Sequence, residues 1–215
     1  MLKITVAHSL TADAATVADA LAKKVSQDLG GIRPDVALLF ATIGMDHAGL
    51  LKGLAQLLPG CPLVGCSSCG EVSHQQGYRV GSSVLIAFAS DTIQFRAGAL
   101  RDLTFDDMAL NASRAEAQLQ LLQGGTLGLP IKTEPVLGLL FPDGLGLDGE
   151  SVVQLFASHF PSTRFFGGAA AEDFRMNPTD QLFNTEVLHN AVPYEVLAEL
   201  FSKDDLFTFI ATELQ

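Results

Sequence analysis

Pro62-Leu63-Val64-Gly65-Cys66-Ser67-Ser68-Cys69-Gly70-Glu71-Val72 is the stretch on which the fold turns, an apolar run that breaks into glycine, hydroxyl, thiol and acidic residues. A leucine- and valine-rich run of this length reads as a buried strand, and Gly65 and Gly70 permit a tight turn or a close approach. The stretch has an echo at Phe165-Phe166-Gly167-Gly168-Ala169-Ala170-Ala171-Glu172-Asp173. Upstream, Val36-Ala37-Leu38-Leu39-Phe40 matches Val136-Leu137-Gly138-Leu139-Leu140-Phe141, with Phe40 and Phe141 101 positions apart. Pro59 and Pro161, Gly65 and Gly167, and Glu71 and Asp173 are each 102 apart. Downstream, Val84 to Phe88 aligns loosely with Glu186 to Val192. This nearly constant offset predicts an internal duplication, with one unit at about 34–100 and the other at about 135–192.

Taken in order, residues 1 to 8 read as a strand. From Ala14, Val17, Leu21, Val25 and Leu29 recur every four residues as the stripe of an amphipathic helix that stops at Gly30-Gly31. The run Val36 to Ala41 is apolar without alternation, as in a strand covered on both faces. A helix over about 48–58 precedes the central strand. Ser82 to Ala89 and Thr92 to Leu100 read as strands of a hairpin. Asp106 to Leu122 reads as helix, 124–135 as a linker and 149–160 as a helix capped by Asp148. After Val192 the correspondence between the units fails, and Tyr194 to Phe201 reads as helix. The fold class expected is α/β, with two related β-α-β units forming central mixed sheets flanked by helices.

Composition narrows the function. Lys plus Arg number 13 against 24 Asp plus Glu, a net charge of −11, and no basic cluster exceeds Lys23-Lys24. The basic footprint that nucleic acid requires is missing, and anionic lipid is disfavoured for the same reason. No run reaches the eighteen or so apolar residues of a membrane span, and the N-terminus lacks the core of a secretion signal. Cys61, Cys66 and Cys69 fit a reducing compartment better than a secreted disulfide framework, so a cytoplasmic location is expected.

Gly65-Cys66-Ser67-Ser68 and Gly70-Glu71 offer backbone N–H groups and hydroxyls in a small-residue turn, a concavity suited to a carboxylate or phosphate. Asp143-Gly144 follows a buried strand, where ligands of α/β proteins tend to sit, although turn capping is an equally common fate for such an Asp. Gly167-Gly168 is the equivalent turn of the second unit. Cys66-Ser67-Ser68-Cys69 would be redox-active only if a cysteine were exposed with a depressed pKa. Gly65-Cys66-Ser67-Ser68-Cys69 approximates a serine nucleophile elbow, but the closing glycine comes one position late and no triad partner stands out. A metal on Cys61, Cys66, Cys69 and His74 is disfavoured, because about five strand residues at 3.3 Å each put Cys61 roughly 16 Å from Cys66.

Val64-Gly65-Cys66-Ser67-Ser68 with Gly70-Glu71, Phe141-Pro142-Asp143-Gly144 with Gly149-Glu150-Ser151, and Phe166-Gly167-Gly168-Ala169-Ala170 with Asp173-Phe174 together resemble the N-terminal FIST domain family over about residues 3–192. The resemblance implies an intracellular sensory module linked in bacteria to histidine kinases, chemoreceptors or cyclic-dinucleotide enzymes. Its ligand would be an amino acid or related metabolite. One related subgroup is implicated in haem-linked sensing, but none of the five histidines here is singled out as an axial ligand, so the cofactor is left unknown. Family members usually carry a second, C-terminal FIST domain, so residues 193–215 are expected to be an atypical end, a fragment boundary or a shortened tail.

The sequence therefore predicts a cytoplasmic small-molecule sensor, not an enzyme, with a ligand near Gly65, Cys66, Ser67, Ser68, Gly70, Glu71, Asp143, Gly144, Gly167 and Gly168. A signalling partner is expected, and no nucleic acid or membrane span. The alternatives are a redox or hydrolytic enzyme centred on Cys66 and Ser67, or an interaction scaffold without a ligand.

Overall fold

The computed structural model describes residues 1–104, 107–123, 135–174 and 176–199. In chain order these form β1 (Leu2–Ser9), α1 (Ala14–Asp28), β2 (Val36–Thr42), α2 (His47–Leu57), β3 (Leu63–Ser68), β4 (Glu71–Ser73), β5 (Gly77–Arg79), β6 (Ser83–Ser90) and β7 (Ile93–Leu100). They continue with α3 (Met108–Gln123), β8 (Leu137–Leu140), α4 (Gly149–His159), β9 (Arg164–Gly167), β10 (Gln181–Phe183), β11 (Glu186–Leu188) and β12 (Val192–Glu199). Residues 124–134 of the expected 124–135 linker and the tail from 200 onward lie outside the described residues.

Two mixed sheets lie face to face, each with helices on its outer side. One has the order β1-β6-β2-β3-β10-β11 and the other β7-β12-β8-β9. The unalternated run in β2 is explained by this layering. Ala37, Leu39 and Ala41 pack under α1 and α2, while Val36 and Leu38 face the inter-sheet core with Phe95, Leu137 and Phe141. A third cluster, including Leu119, Leu155, Phe156 and Tyr194, lies between α3, α4 and the second sheet. The helical stripe of α1 is buried as its spacing predicts, and Asp13, Asp46 and Asp148 each accept a backbone N–H in the first turn of α1, α2 and α4.

The strand orders β1-β6-β2-β3 and β7-β12-β8-β9 correspond one for one. In each unit two strands run parallel, and their closest approach is at glycine. A Cβ on Gly65 would lie 1.8 Å from the Leu39 carbonyl oxygen, and one on Gly167 would lie 1.9 Å from that of Leu140. Leu39 pairs with Gly65 and Leu140 with Gly167. Because the backbones leave no volume for a side chain, both copies need glycine at this place.

Two expectations are corrected. The strands β6 and β7 exist but do not form a hairpin. β6 lies between β1 and β2, β7 pairs with β12, and the chain turns a corner at Ser90, whose hydroxyl accepts the N–H groups of Thr92 and Ile93. The rings of Phe88 and Phe95 meet across the sheets with centroids 5.6 Å apart, so both strands are needed as walls of one core. The segment read as helix from Tyr194 is β12, the strand between β7 and β8, and it occupies the place that β6 holds in the first unit. Its two apolar faces, Tyr194 and Val196 on one side and Leu197 on the other, each pack on a separate cluster, and this tertiary burial overrides helical propensity.

Candidate functional site

The segment 168–180 leaves the end of β9 in the second sheet and crosses to β10, which pairs antiparallel with β3 of the first. The crossing is fastened at both ends by residues from the turns singled out in the sequence. Ser67 accepts the Ala171 N–H on its carbonyl at 2.9 Å, donates its hydroxyl to the Ala171 carbonyl at 2.9 Å, and receives the Asp180 N–H on that hydroxyl at 3.1 Å. Its own N–H donates to the Asp180 carbonyl at 2.8 Å. From the other unit, the Asp143 carboxylate accepts N–H groups of Leu145 and Gly146 at 2.9 Å and of Asn190 at 3.0 Å, and the Thr179 hydroxyl at 2.8 Å. Gly144 donates its N–H to that hydroxyl at 3.2 Å, and Ala170 donates to the Pro142 carbonyl at 2.8 Å.

Burial pushes the Asp143 carboxyl up, but the donors from Gly146, Leu145, Asn190 and Thr179 outweigh it and hold the group below its ordinary value. Near neutral pH Asp143 is thus an ionised pin. Of the two sequence readings of it, the turn cap describes its contacts, since it caps the 144–146 turn and also holds Thr179 of the crossing.

The remaining candidates divide. Ser68 and Ser82 both donate hydroxyls to the Glu71 carboxylate at the base of the β4–β5 hairpin. Burial raises the Glu71 pKa against the two serine bonds that lower it. Gly70 lies against the Tyr78 ring, where a Cβ would come within 2.6 Å of the hydroxyl. Gly65 is closed off by Leu39, and Cys66 turns into the inter-sheet core. Gly167 is held by Leu140, whereas a Cβ on Gly168 would meet nothing within 4 Å. The structure therefore brings Ser67, Asp143, Gly144, Gly167 and Gly168 together around the crossing, with Ser68, Gly70 and Glu71 as the adjoining hairpin base. Gly65 and Cys66 lie beneath as packing.

The side chains on which the enzyme readings centre are Cys66 and Ser67. Burial pushes the Cys66 thiol up to about 12, so the thiolate that redox exchange needs is absent near neutral pH, and Cys61 is raised likewise to about 12. Ser67 is buried with its hydroxyl engaged. The nearby His47 bonds Asp180 through Nδ1 at 2.7 Å and the Thr42 carbonyl through Nε2 at 3.0 Å, so neither nitrogen is directed at Ser67 as a base.

Several residues escaped sequence reading. His47 lies at the start of α2, buried against Asp180, 133 positions away in sequence. Thr179 and Asn190 join the Asp143 pin, and Gln181 and Glu195 are buried between the sheets. Thr179-Asp180-Gln181 was the one available signal, a polar run immediately before a strand. On the crossing itself, Phe174 and Met176 have φ of +64° and +55°, a region that bulky side chains avoid, and Phe174 is 91% exposed. A separate small depression between α3 and α4, lined by Leu103, Asn111, Leu147 and Ser151 among others, has room for about one water and lies apart from these groups.

The FIST N domain family profile matches residues 35–209. No curated protein sequence matches the chain. Among solved structures, cyanuric acid hydrolase from A. caulinodans is similar at 12% identity and a TM-score of 0.44, covering 92% of this chain and 70% of its own. A second cyanuric acid hydrolase structure, described as an evolutionary innovation by structural concatenation, is similar at 11% identity and a TM-score of 0.49, covering 92% and 69%.

Proposed function

The chain belongs to the FIST N domain family, whose members are sensory domains associated with signal transduction, and from that premise we propose that it is a cytoplasmic small-molecule receptor whose moving part is the 168–180 crossing. The ligand is an amino acid or a close derivative, held between the crossing and the turns at Ser67–Glu71 and Asp143–Gly144. One observation carries the reading: both units hold both ends of the crossing, Ser67 of the first bonding Ala171 and Asp180, and Pro142 and Asp143 of the second bonding Ala170 and Thr179. Anything that displaces it must alter contacts in both units at once.

Chemistry supports the ligand class. The acidic residues Glu172, Asp173 and Asp180 give the crossing a negative charge that suits an ammonium group, and a carboxylate would take over turn amides that now bond within the chain, such as those of Ser67 and Gly144. The exposed Phe174 and Met176 offer an apolar cover for a side chain. Output to a histidine kinase, chemoreceptor or similar partner requires that the ligand prefer one arrangement of the crossing over the other.

The test is a thermal-shift screen against amino acids and their derivatives. A ligand at a hundred times its Kd stabilises the folded state by about 2.7 kcal/mol. The expected result is a saturable rise in Tm for one chemical class, lost in Ser67→Ala while that variant still unfolds cooperatively. No response to any amino acid or derivative, or an undiminished response in Ser67→Ala, overturns the reading.

A further inference from the structure

Within the chain, a hairpin of the second unit completes the sheet of the first. Its strand β10 pairs with β3 in the register Gln181 to Cys66, Leu182 to Gly65 and Phe183 to Val64, and β11 follows outside it. Leu182 and Val187, the central cross-strand pair of that hairpin, pack into the core beneath α1 and α2. The first unit carries the matching hairpin, β4–β5, with Val72 and Tyr78 as its central pair. It joins neither large sheet among the described residues, and Val72 and Tyr78 are 72% and 58% exposed.

The receiving side shows the same vacancy. β9 stands where β3 stands and ends its sheet among the described residues. Phe166, the counterpart of the fully buried Val64, is 55% exposed. On α4, Val153 is exposed, whereas Leu51, 102 positions earlier at the matching place on α2, is fully buried. Among the described residues there is thus one hairpin without a sheet and one sheet edge without a hairpin, each with exposed apolar side chains where its counterpart is covered. Such an edge is a template for strand addition.

We propose that a second copy of this chain docks there, each copy laying its β4–β5 hairpin on the β9 edge of the other. The contact is patterned on one already present inside the chain, and this chain is a partner that carries both complementary halves, so two copies can exchange hairpins about a two-fold axis. The internal register fixes the new one: Glu71 opposite Gly168, Val72 opposite Gly167 and Ser73 opposite Phe166. Val72 and Tyr78 then come to lie toward α4 and Val153, as Leu182 and Val187 lie toward α2. This does not depend on the ligand reading.

Light scattering on the full chain in about 0.5 M salt, where the repulsion between two chains of net charge −11 is screened, reads the mass directly. The expected mass is twice 22.8 kDa. Val72→Lys and Phe166→Lys, both at exposed positions, each reduce it to the single-chain value while the circular dichroism spectrum is unchanged. In a Cys69→Ser background, the pair Ser73→Cys and Phe166→Cys forms a disulfide between chains under mild oxidation. A single-chain mass at 100 μM, as would result if other sequence or another protein covers these surfaces, overturns the proposal. So does a dimer that survives both lysine variants or fails to form the disulfide.

Discussion

Replacing Glu195 by glutamine is expected to make the protein more stable, and increasingly so as pH rises. Glu195 lies on β12 between the sheets, opposite Ala97 and Leu139, and both carboxylate oxygens are buried without a hydrogen-bond partner among the described residues. Burial alone pushes its pKa up to about 8 from 4.5. The folded state therefore holds this proton across a range in which the unfolded chain has released it, and stability falls as pH climbs from 4.5 to 8. At about 1.4 kcal/mol per pH unit, the loss is about 3 kcal/mol at pH 7 and about 5 kcal/mol above pH 8. Both are large fractions of the 5–15 kcal/mol typical of a domain. Glutamine has nearly the same shape and cannot ionise, so the two proteins should differ by only about 1 kcal/mol at pH 5.5 and by about 3–5 kcal/mol at pH 8.5. Urea unfolding of both proteins across that range, starting above the pI near 4.7 to avoid precipitation, measures the difference. Other titrating groups cancel in the comparison. A difference that does not change with pH, or a variant less stable than the parent at pH 8.5, would refute the account of an uncompensated buried carboxyl.

Three further outcomes follow from the packing and the thiols. Gly65→Ala and Gly167→Ala should each destabilise by about 3 kcal/mol, since both added methyls strike a carbonyl oxygen of the adjoining strand, whereas Gly168→Ala should shift the urea midpoint little. Ellman titration of the native protein should find Cys69 reacting promptly, with Cys61 and Cys66 reacting only on unfolding, because the latter two are buried with thiols raised to about 12. Asp143→Asn should destabilise by about 2–3 kcal/mol at pH 7, because its amide nitrogen cannot accept the donors that the carboxylate now satisfies. As the Asp143 pKa lies below its ordinary value, the parent loses this advantage as pH falls through the acid range, and the gap to Asp143→Asn should narrow there in the same urea series.

The duplication was legible because its landmarks are local and steric. Gly65 and Gly167 announce a place where two backbones touch, and β2 and β8 read as strands because both faces are apolar. The partner of each strand was not legible. Ser82 to Leu100 has the pattern of a hairpin, since two apolar strands across Ser90-Asp91 look the same whether they pair or part, and only the Phe88–Phe95 contact between sheets tells which. β12 reads as helix in the sequence because Tyr194 to Ala198 is covered on both faces and so lacks the alternation of a half-exposed strand. The candidate site was read in part: Ser67 and Asp143 were singled out as turn residues, but their shared role depends on Thr179, Asp180 and Asn190, which come close only when 168–180 crosses between sheets. His47 had no visible signal, because its partner is fixed by that crossing alone.

The crossing also constrains how large a signalling movement can be. Releasing the β10–β11 hairpin from β3 would break three register pairs and expose Leu182, now fully buried. At about 1 kcal/mol per net hydrogen bond and about 2–3 kcal/mol for the leucine, the release costs on the order of 5 kcal/mol or more. Shifting a two-state equilibrium from mostly closed to mostly open requires about 5.5 kcal/mol of differential affinity, and a micromolar ligand has about 8 kcal/mol in total. Hairpin release would therefore consume most of the binding energy of an ordinary metabolite. The contacts between Ser67 and residues 171 and 180 are a cheaper element to rearrange, since several of their groups can rebond to a ligand or to water. The bulky residues Phe174 and Met176, held at positive φ, already store strain that a second arrangement of the crossing could relieve. The movement that agrees with these magnitudes is a local repositioning of 168–180 over an intact pair of sheets, with the Asp143 bond to Thr179 kept and the Ser67 bonds to Ala171 and Asp180 exchanged.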